Sequence, residues 1–116
     1  FSGDKKKETR PWGSFEVLVD ERGYKVKKIV VNKEGKLSLQ LHTKRYEVWY
    51  ILEGHGEMQV GNSVWVVESG DRVDIGKFEA HRISNVSETP LVILEIQKGV
   101  CEEDDIIRIK DEYGRV

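Results

Sequence analysis

The sequence has a single cysteine, Cys101, in 116 residues. That excludes a disulfide framework and a thiolate metal cluster, and leaves the thiol its commonest part, a partly buried small hydrophobe. Long apolar runs are missing as well. No stretch approaches the roughly 20 residues of a bilayer span, and the opening FSGDKKKETR lacks the apolar core of a secretory signal. A cytoplasmic protein is expected, without a membrane partner. Neither charge dominates, with 19 basic against 21 acidic residues and a formal charge of −2, so nothing in the balance steers the chain to nucleic acid. Before residue 100 no segment holds a 3.6-residue apolar period for the ten or so residues a helix needs. Internal repeats and low-complexity segments are absent. The chain opens on Phe1 rather than Met, as a fragment would.

What is present is a series of short apolar or alternating runs: SFEVLVD, YKVKKIVVN, KLSLQLH, EVWYILE, GEMQVG, SVWVVE, RVDIG, HRISNV and PLVILEIQ. Most are rich in Val, Ile, Trp and Tyr, and turn signals such as ERG, NKEG, EGHG and ESGD divide them. Many short strands with frequent turns predict an all-β sandwich or barrel, of a length that makes one domain. Residues 1–9 read as a polar, flexible leader and 10–116 as the domain. The tail CEEDDIIRIKDEYGRV suits either a helix start or a loop over the barrel. Trp65 reads as core, and His55, in EGHG, as an exposed turn residue.

The stretch SLQLHTKRYEVWYILEGHG, residues 38–56, raises the chemical question. In a strand Leu37, Leu39 and Leu41 share one face, and Ser38, Gln40 and His42 the other. The ordinary arrangement of an antiparallel sheet sends the leucines to the core and the polar residues to water. Glu47 follows His42 by five residues, an odd separation, so a turn at TKRY is needed to bring it beside the histidine. A second segment, GDRVDIGKFEAHRISN, places His81 after the loop KFEA, with Asn85 four residues on. If the fold gathers two histidines, a glutamate and a glutamine, their nitrogen and oxygen donors suit a borderline divalent ion such as Zn, Co, Ni, Mn or Fe.

The spacing of Gly35, Gln40, His42, Glu47 and Gly54 resembles the first cupin motif, with Gln in place of its first histidine. That of Gly70, Gly76, His81 and Asn85 resembles the second. More narrowly, RPWG, YKVKKIVV, LSLQLHTKRYEVWYIL, HRISN and EDDIIRIKDEYGR are similar to the cupin domain of type II phosphomannose isomerases, from Arg10 to Arg115. In bifunctional guanylyltransferase/isomerases that domain is the C-terminal part, and it also occurs alone.

The resemblance implies a double-stranded β-helix, or jelly-roll barrel, holding one divalent metal ion, Zn, Co, Ni or Mn. The ligands it implies are Gln40, His42, Glu47 and His81. The polar face then looks inward and the three leucines outward, where a terminal segment or a homodimer contact must cover them. Covering them is worth a few kcal/mol, at roughly 25 cal/mol per Å². The implied reaction interconverts mannose 6-phosphate and fructose 6-phosphate through an enediol, with the metal as Lewis acid. Arg45, Lys27 and Glu95 are the candidates for proton transfer or for holding the sugar phosphate, Arg45 ahead of Lys27. Arg10, Trp12 and Trp49 are candidates for binding the substrate, the indoles offering apolar faces to the sugar. Asp104, Asp105, Arg108, Asp111, Tyr113 and Arg115 match the closing pattern and read as a polar lid or intersubunit brace.

Two departures from the family bear on the shape of the pocket. Val48 stands where the family has histidine, and IGKFEAH lacks the usual proline and second glycine. No Gly-rich phosphate loop of the nucleotidyltransferase kind occurs, so this chain by itself is not expected to make GDP-mannose. Two alternatives stay open. Two histidines and a carboxylate also describe a non-haem iron dioxygenase, and a cupin can be a sugar-phosphate-binding module without activity.

Overall fold

A computed structural model describes residues 6–114, with Lys6 described by its backbone alone. Eleven strands and no helix occur among the described residues: β1 Lys6–Arg10, β2 Gly13–Glu21, β3 Tyr24–Val31, β4 Leu39–Leu41, β5 Arg45–Glu53, β6 His55–Val60, β7 Ser63–Glu68, β8 Arg72–Ile75, β9 His81–Asn85, β10 Leu91–Gly99 and β11 Ile107–Lys110. They form two antiparallel sheets, a six-stranded one ordered β1-β2-β3-β10-β5-β8 and a five-stranded one ordered β11-β4-β9-β6-β7. This is the cupin jelly-roll barrel expected from the sequence.

Alternation decides which side chains enter the barrel, and the strand register sorts them along its axis. On β3, β10 and β5, Ile29 pairs with Ile93, which pairs with Ile51, while Val31 pairs with Leu91. In the same register Lys27 pairs with Glu95 and Glu95 with Trp49, and Lys25 pairs with Gln97 and Gln97 with Glu47. The inward rows therefore run from apolar at one end of the barrel to charged at the other. The core also takes Met58, Val67 and Ile83, all buried, while Val73 and Ile75, opposite Trp49 and Glu47, carry apolar packing into the polar end. Each such side chain stabilises the fold by about 1.5–3 kcal/mol when removed from water. That surplus offsets the cost of desolvating the polar end.

One glycine of RPWG is required by packing. A Cβ on Gly13 would lie 2.0 Å from the Val30 carbonyl oxygen, and its φ of +155° falls where side chains are rarely tolerated. Only glycine lets β2 start that close to β3.

Several expectations are corrected. Residues 6–9, read as leader, pair with β2 from Lys6↔Val17 to Thr9↔Ser14, because the KKET backbone finds a free edge; residues 1–5 and Arg115 lie outside the described residues. KLSLQLH is a strand only over Leu39–Leu41, after an isolated bridge at Lys36. The irregularity breaks the leucine row, so Leu37 is buried in the core while Leu39 and Leu41 are half-buried. The tail supplies β11, which pairs beside β4 rather than lying across it. Trp65 is not core: it is 40% exposed on β7, an edge strand. His55 is exposed, as expected.

Candidate metal centre

β4 and β5 leave the TKRY turn on either side of Asp105. Its carboxylate accepts hydrogen bonds from the Thr43 and Lys44 amides at 3.1 and 2.9 Å and from the Thr43 hydroxyl at 2.8 Å. Burial alone would raise the Asp105 pKa, but the Thr43 and Lys44 amides override it and hold the carboxyl below its ordinary range. The turn brings Glu47 round to His42, with His42 Nε2 3.2 Å from Glu47 Oε2. β9 adds His81, whose Nε2 is 3.7 Å from Glu47 Oε1. One ligand atom from each of the three buried residues lies within 4.8 Å of the others.

Both rings are oriented through their far nitrogens. His42 Nδ1–H donates to the Asp105 carbonyl at 2.6 Å, and His81 Nδ1–H to the Glu79 carbonyl at 2.9 Å. A carbonyl can only accept, so each ring carries a proton on Nδ1 and turns Nε2 towards Glu47. Burial, ahead of the opposing charge of Glu47, holds the His42 pKa below its ordinary value. Backbone carbonyls commonly orient metal-binding histidines in this way.

Glu47 is fixed as an anion. Burial would raise its pKa, but His81, His42 and Arg45 together hold it at about 2. Its Oε2 accepts from Arg45 Nε at 2.8 Å and its Oε1 from Trp49 Nε1 at 2.9 Å. Arg45 also reaches His42 Nε2 with Nη2 at 3.2 Å and the Glu102 carbonyl with Nη1 at 3.1 Å.

The donor set fits a divalent cation. Two imidazoles and a carboxylate are suitable ligands, and His81 Nε2 is buried without a hydrogen-bond partner, a costly state that a bound cation relieves. Gln40 is adjacent, its Nε2 3.5 Å from His42 Nε2, but its oxygen accepts from Ser38 Oγ at 2.7 Å. The oxygen that would coordinate is thus turned aside.

A cavity of about 160 Å³ opens onto His42 and Gln40. Arg10, Trp12, Lys27, Arg45, Glu95, Glu103 and Arg108 line it. Trp49 does not: it is fully buried, with its indole N–H on Glu47 and its ring nearly perpendicular to that of His81, the centroids 5.6 Å apart. Val48 shares the outward face of β5, between Ile96 and Asp74, so its departure from the family pattern leaves the cavity wall untouched. The loop before His81 does carry a trace of its altered sequence. Phe78 takes a φ of 64°, and its amide donates to the His42 carbonyl at 2.8 Å, tying the two histidine segments together.

Glu95 is buried, with one oxygen accepting from Gln97 Nε2 at 2.5 Å. Burial, reinforced by the charge of Glu47, pushes its pKa up to about 8 against the pull of Lys27 and the Gln97 hydrogen bond. Gln97 escaped the sequence reading. The signal was there in PLVILEIQ, where a glutamate and a glutamine continue the parity of Leu91 and Ile93. Asp105 and Arg108 were visible only through the resemblance, because their partners Thr43, Lys44 and Gln40 lie far back in the sequence.

Comparison with known proteins places this geometry among relatives. The Mannose-6-phosphate isomerase C-terminal family matches residues 3–111. A mannose-1-phosphate guanylyltransferase of Klebsiella pneumoniae is 40% identical over 107 residues, covering 91% of this chain and 23% of that protein. The chain thus spans about a quarter of the length of such curated relatives. An RmlC-like cupin from Shewanella frigidimarina superposes with a TM-score of 0.76 at 18% identity, over 90% of this chain and 91% of that one. Bacillus subtilis oxalate decarboxylase, described with Mn(II) centres, superposes with a TM-score of 0.78 at 19% identity, over 90% of this chain and 30% of that one. At those identities the superpositions establish the fold alone.

Proposed function

Because the chain belongs to the mannose-6-phosphate isomerase C-terminal family, we propose that it is a metal-dependent aldose-ketose isomerase interconverting mannose 6-phosphate and fructose 6-phosphate. The observation that carries the reading is the pair of imidazoles whose Nε2 atoms converge on Glu47, one of them, His42, lining a cation-rich cavity. His42, Glu47 and His81 would hold one divalent ion, Zn, Co, Ni or Mn, with Gln40 joining once its oxygen is released by Ser38. The bound ion supplies Lewis-acid stabilisation of negative charge on the substrate oxygens at C1 and C2.

The chain's own groups do the rest. Glu95 carries the proton: Gln97 holds one carboxyl oxygen, leaving the other to take the C2 proton and return it at C1 through an enediol. A pKa near the working pH suits a group that must both accept and donate. Arg45, ranked first from the sequence, is engaged by Glu47, His42 and the Glu102 carbonyl, so its part is to position the metal site. Lys27, Arg10 and Arg108 hold the phosphate end, and Trp12 supplies an apolar wall to the sugar ring. Trp49 acts through Glu47 rather than on substrate. A cytoplasmic, homodimeric enzyme supplying hexose phosphates for GDP-mannose synthesis is the setting we propose.

The test is to load the protein in turn with Zn, Co, Ni or Mn, add fructose 6-phosphate and assay for mannose 6-phosphate. Product with at least one ion is expected. No product with any of them overturns the reading, and oxygen consumption with ferrous iron would replace it by a dioxygenase.

A further inference from the structure

Two lysines on the inward row of β3 share one counter-charge. Lys25 and Lys27 are 7% and 6% exposed. A single atom, Glu103 Oε1, meets both, 3.3 Å from Lys25 Nζ and 2.6 Å from Lys27 Nζ. Lys27 and Glu103 line the cavity described above, with Lys25 behind them, and more cationic groups face it. Arg10 and Lys27 both stack on the Phe15 ring, 4.9 and 4.3 Å from its centroid, and Arg108 Nε is buried with no hydrogen-bond partner. Cations removed from water and sharing one carboxylate oxygen are under-compensated. The cavity therefore favours an anion with more than one negative charge.

Glu103 is placed so that it can leave. Its side chain is 56% exposed, although the lysines it meets are not. The backbone on either side is pinned, by the Glu102 carbonyl on Arg45 Nη1 at 3.1 Å and by the Asp105 carboxylate on the Thr43 and Lys44 amides. Rotation about the side-chain bonds carries the carboxylate into solvent without disturbing that backbone.

We propose that Glu103 is a displaceable acid holding a phosphoryl subsite, its carboxylate occupying on Lys27 and Lys25 the place a phosphate monoester takes when bound. The inference rests on the function proposed above only in identifying the anion as a sugar phosphate. An arriving phosphate replaces one shared oxygen by several charge-assisted hydrogen bonds. The broken Glu103 pair is subtracted from its affinity, which weakens binding of singly charged anions most.

Calorimetric titration of the metal-loaded protein with inorganic phosphate, mannose 6-phosphate and mannose tests this at fixed ionic strength. Glu103→Gln is expected to tighten phosphate and mannose 6-phosphate by about tenfold, equivalent to about 1.4 kcal/mol, and to leave mannose unchanged. Lys27→Met is expected to abolish the phosphate response. Phosphate binding to the glutamine variant no tighter than to the wild type would make Glu103 a structural counter-ion and overturn the proposal. Should the glutamine variant fail to fold, Glu103→Asp decides, because its shorter side chain keeps the charge and draws back from Lys27. The same tightening is expected there, and unchanged affinity refutes the idea. Inorganic phosphate binds without turnover, so an inactive protein that shows the tightening with it contradicts only the isomerase reading.

Discussion

Glu95→Gln changes one atom and removes one titration, and its effect on stability can be worked out. The carboxyl is buried, and its pKa moves from 4.5 in the unfolded chain to about 8 in the metal-free fold, because of burial and then the charge of Glu47. A group whose folded pKa is raised contributes stability that is fully present below its unfolded pKa. That stability is lost as pH climbs towards the folded value. Between pH 4.5 and 8 the wild type therefore loses up to about 1.4 kcal/mol per pH unit through this one group. The whole interval amounts to a few kcal/mol, a large share of a domain's marginal stability. The amide of the variant cannot ionise and escapes the loss, while its oxygen still accepts from Gln97. Denaturant unfolding of metal-free wild type and variant at pH 5, 6, 7 and 8 gives the difference directly, and other titrating groups cancel in it. The variant should gain on the wild type at each step. Parallel profiles would refute the placement of an ionisable Glu95 largely out of reach of bulk water. In the metal-loaded enzyme the same substitution should lower kcat by about 10²–10⁴-fold, as the loss of a general base does, with metal content unchanged.

Other outcomes follow from the contacts around the site. Trp49→Phe removes the indole donor to Glu47 and should weaken metal affinity about 10–100-fold, read by competition with a chelating dye; unchanged affinity would show that the indole does not orient Glu47. Asp105→Asn loses the charged cap of the TKRY turn and should cost about 1–3 kcal/mol. Since the Asp105 pKa is lowered in the fold, that deficit should be full at neutral pH and shrink as pH falls through the carboxylate range, which unfolding at pH 3 and 7 checks. Ile93→Ala, at the apolar end, should cost about 2–5 kcal/mol and leave kcat per folded molecule unaltered; a matching loss of kcat would mean that the two ends of the barrel are not independent.

The fold was legible because its strands alternate cleanly. The runs YKVKKIVV, EVWYILE and PLVILEIQ are β3, β5 and β10 within a residue or two. Parity also explains the errors. Joined to the inward polar face that the resemblance implies, it assumes an unbroken strand and so placed Leu37 outside, whereas the bridge at Lys36 and the hydrogen bond from Leu37 N to the Ile83 carbonyl turn that side chain into the core. It assumes that apolar runs are covered, so it buried Trp65, which sits on an edge where nothing among the described residues pairs further. Of the four ligand candidates named from residue type and family spacing, the fold gathers His42, Glu47 and His81 into one cluster, while the Gln40 oxygen is held by Ser38. The ring orientations were not legible, since the Asp105 carbonyl on His42 and the Glu79 carbonyl on His81 are backbone partners that leave no mark in composition. The shared clamp of Glu103 on Lys25 and Lys27 joins residues 78 and 76 positions apart, beyond the reach of any local pattern.

The most direct measurement is a crystal grown with Mn or Zn, its ion located by anomalous scattering, alongside the metal content of wild-type, His42→Ala and His81→Ala protein. The account predicts one ion per chain, bonded to Nε2 of His42, Nε2 of His81 and a carboxylate oxygen of Glu47, and a stoichiometry that collapses in both variants. An ion lodged elsewhere, or full metal content after either histidine is removed, would contradict it.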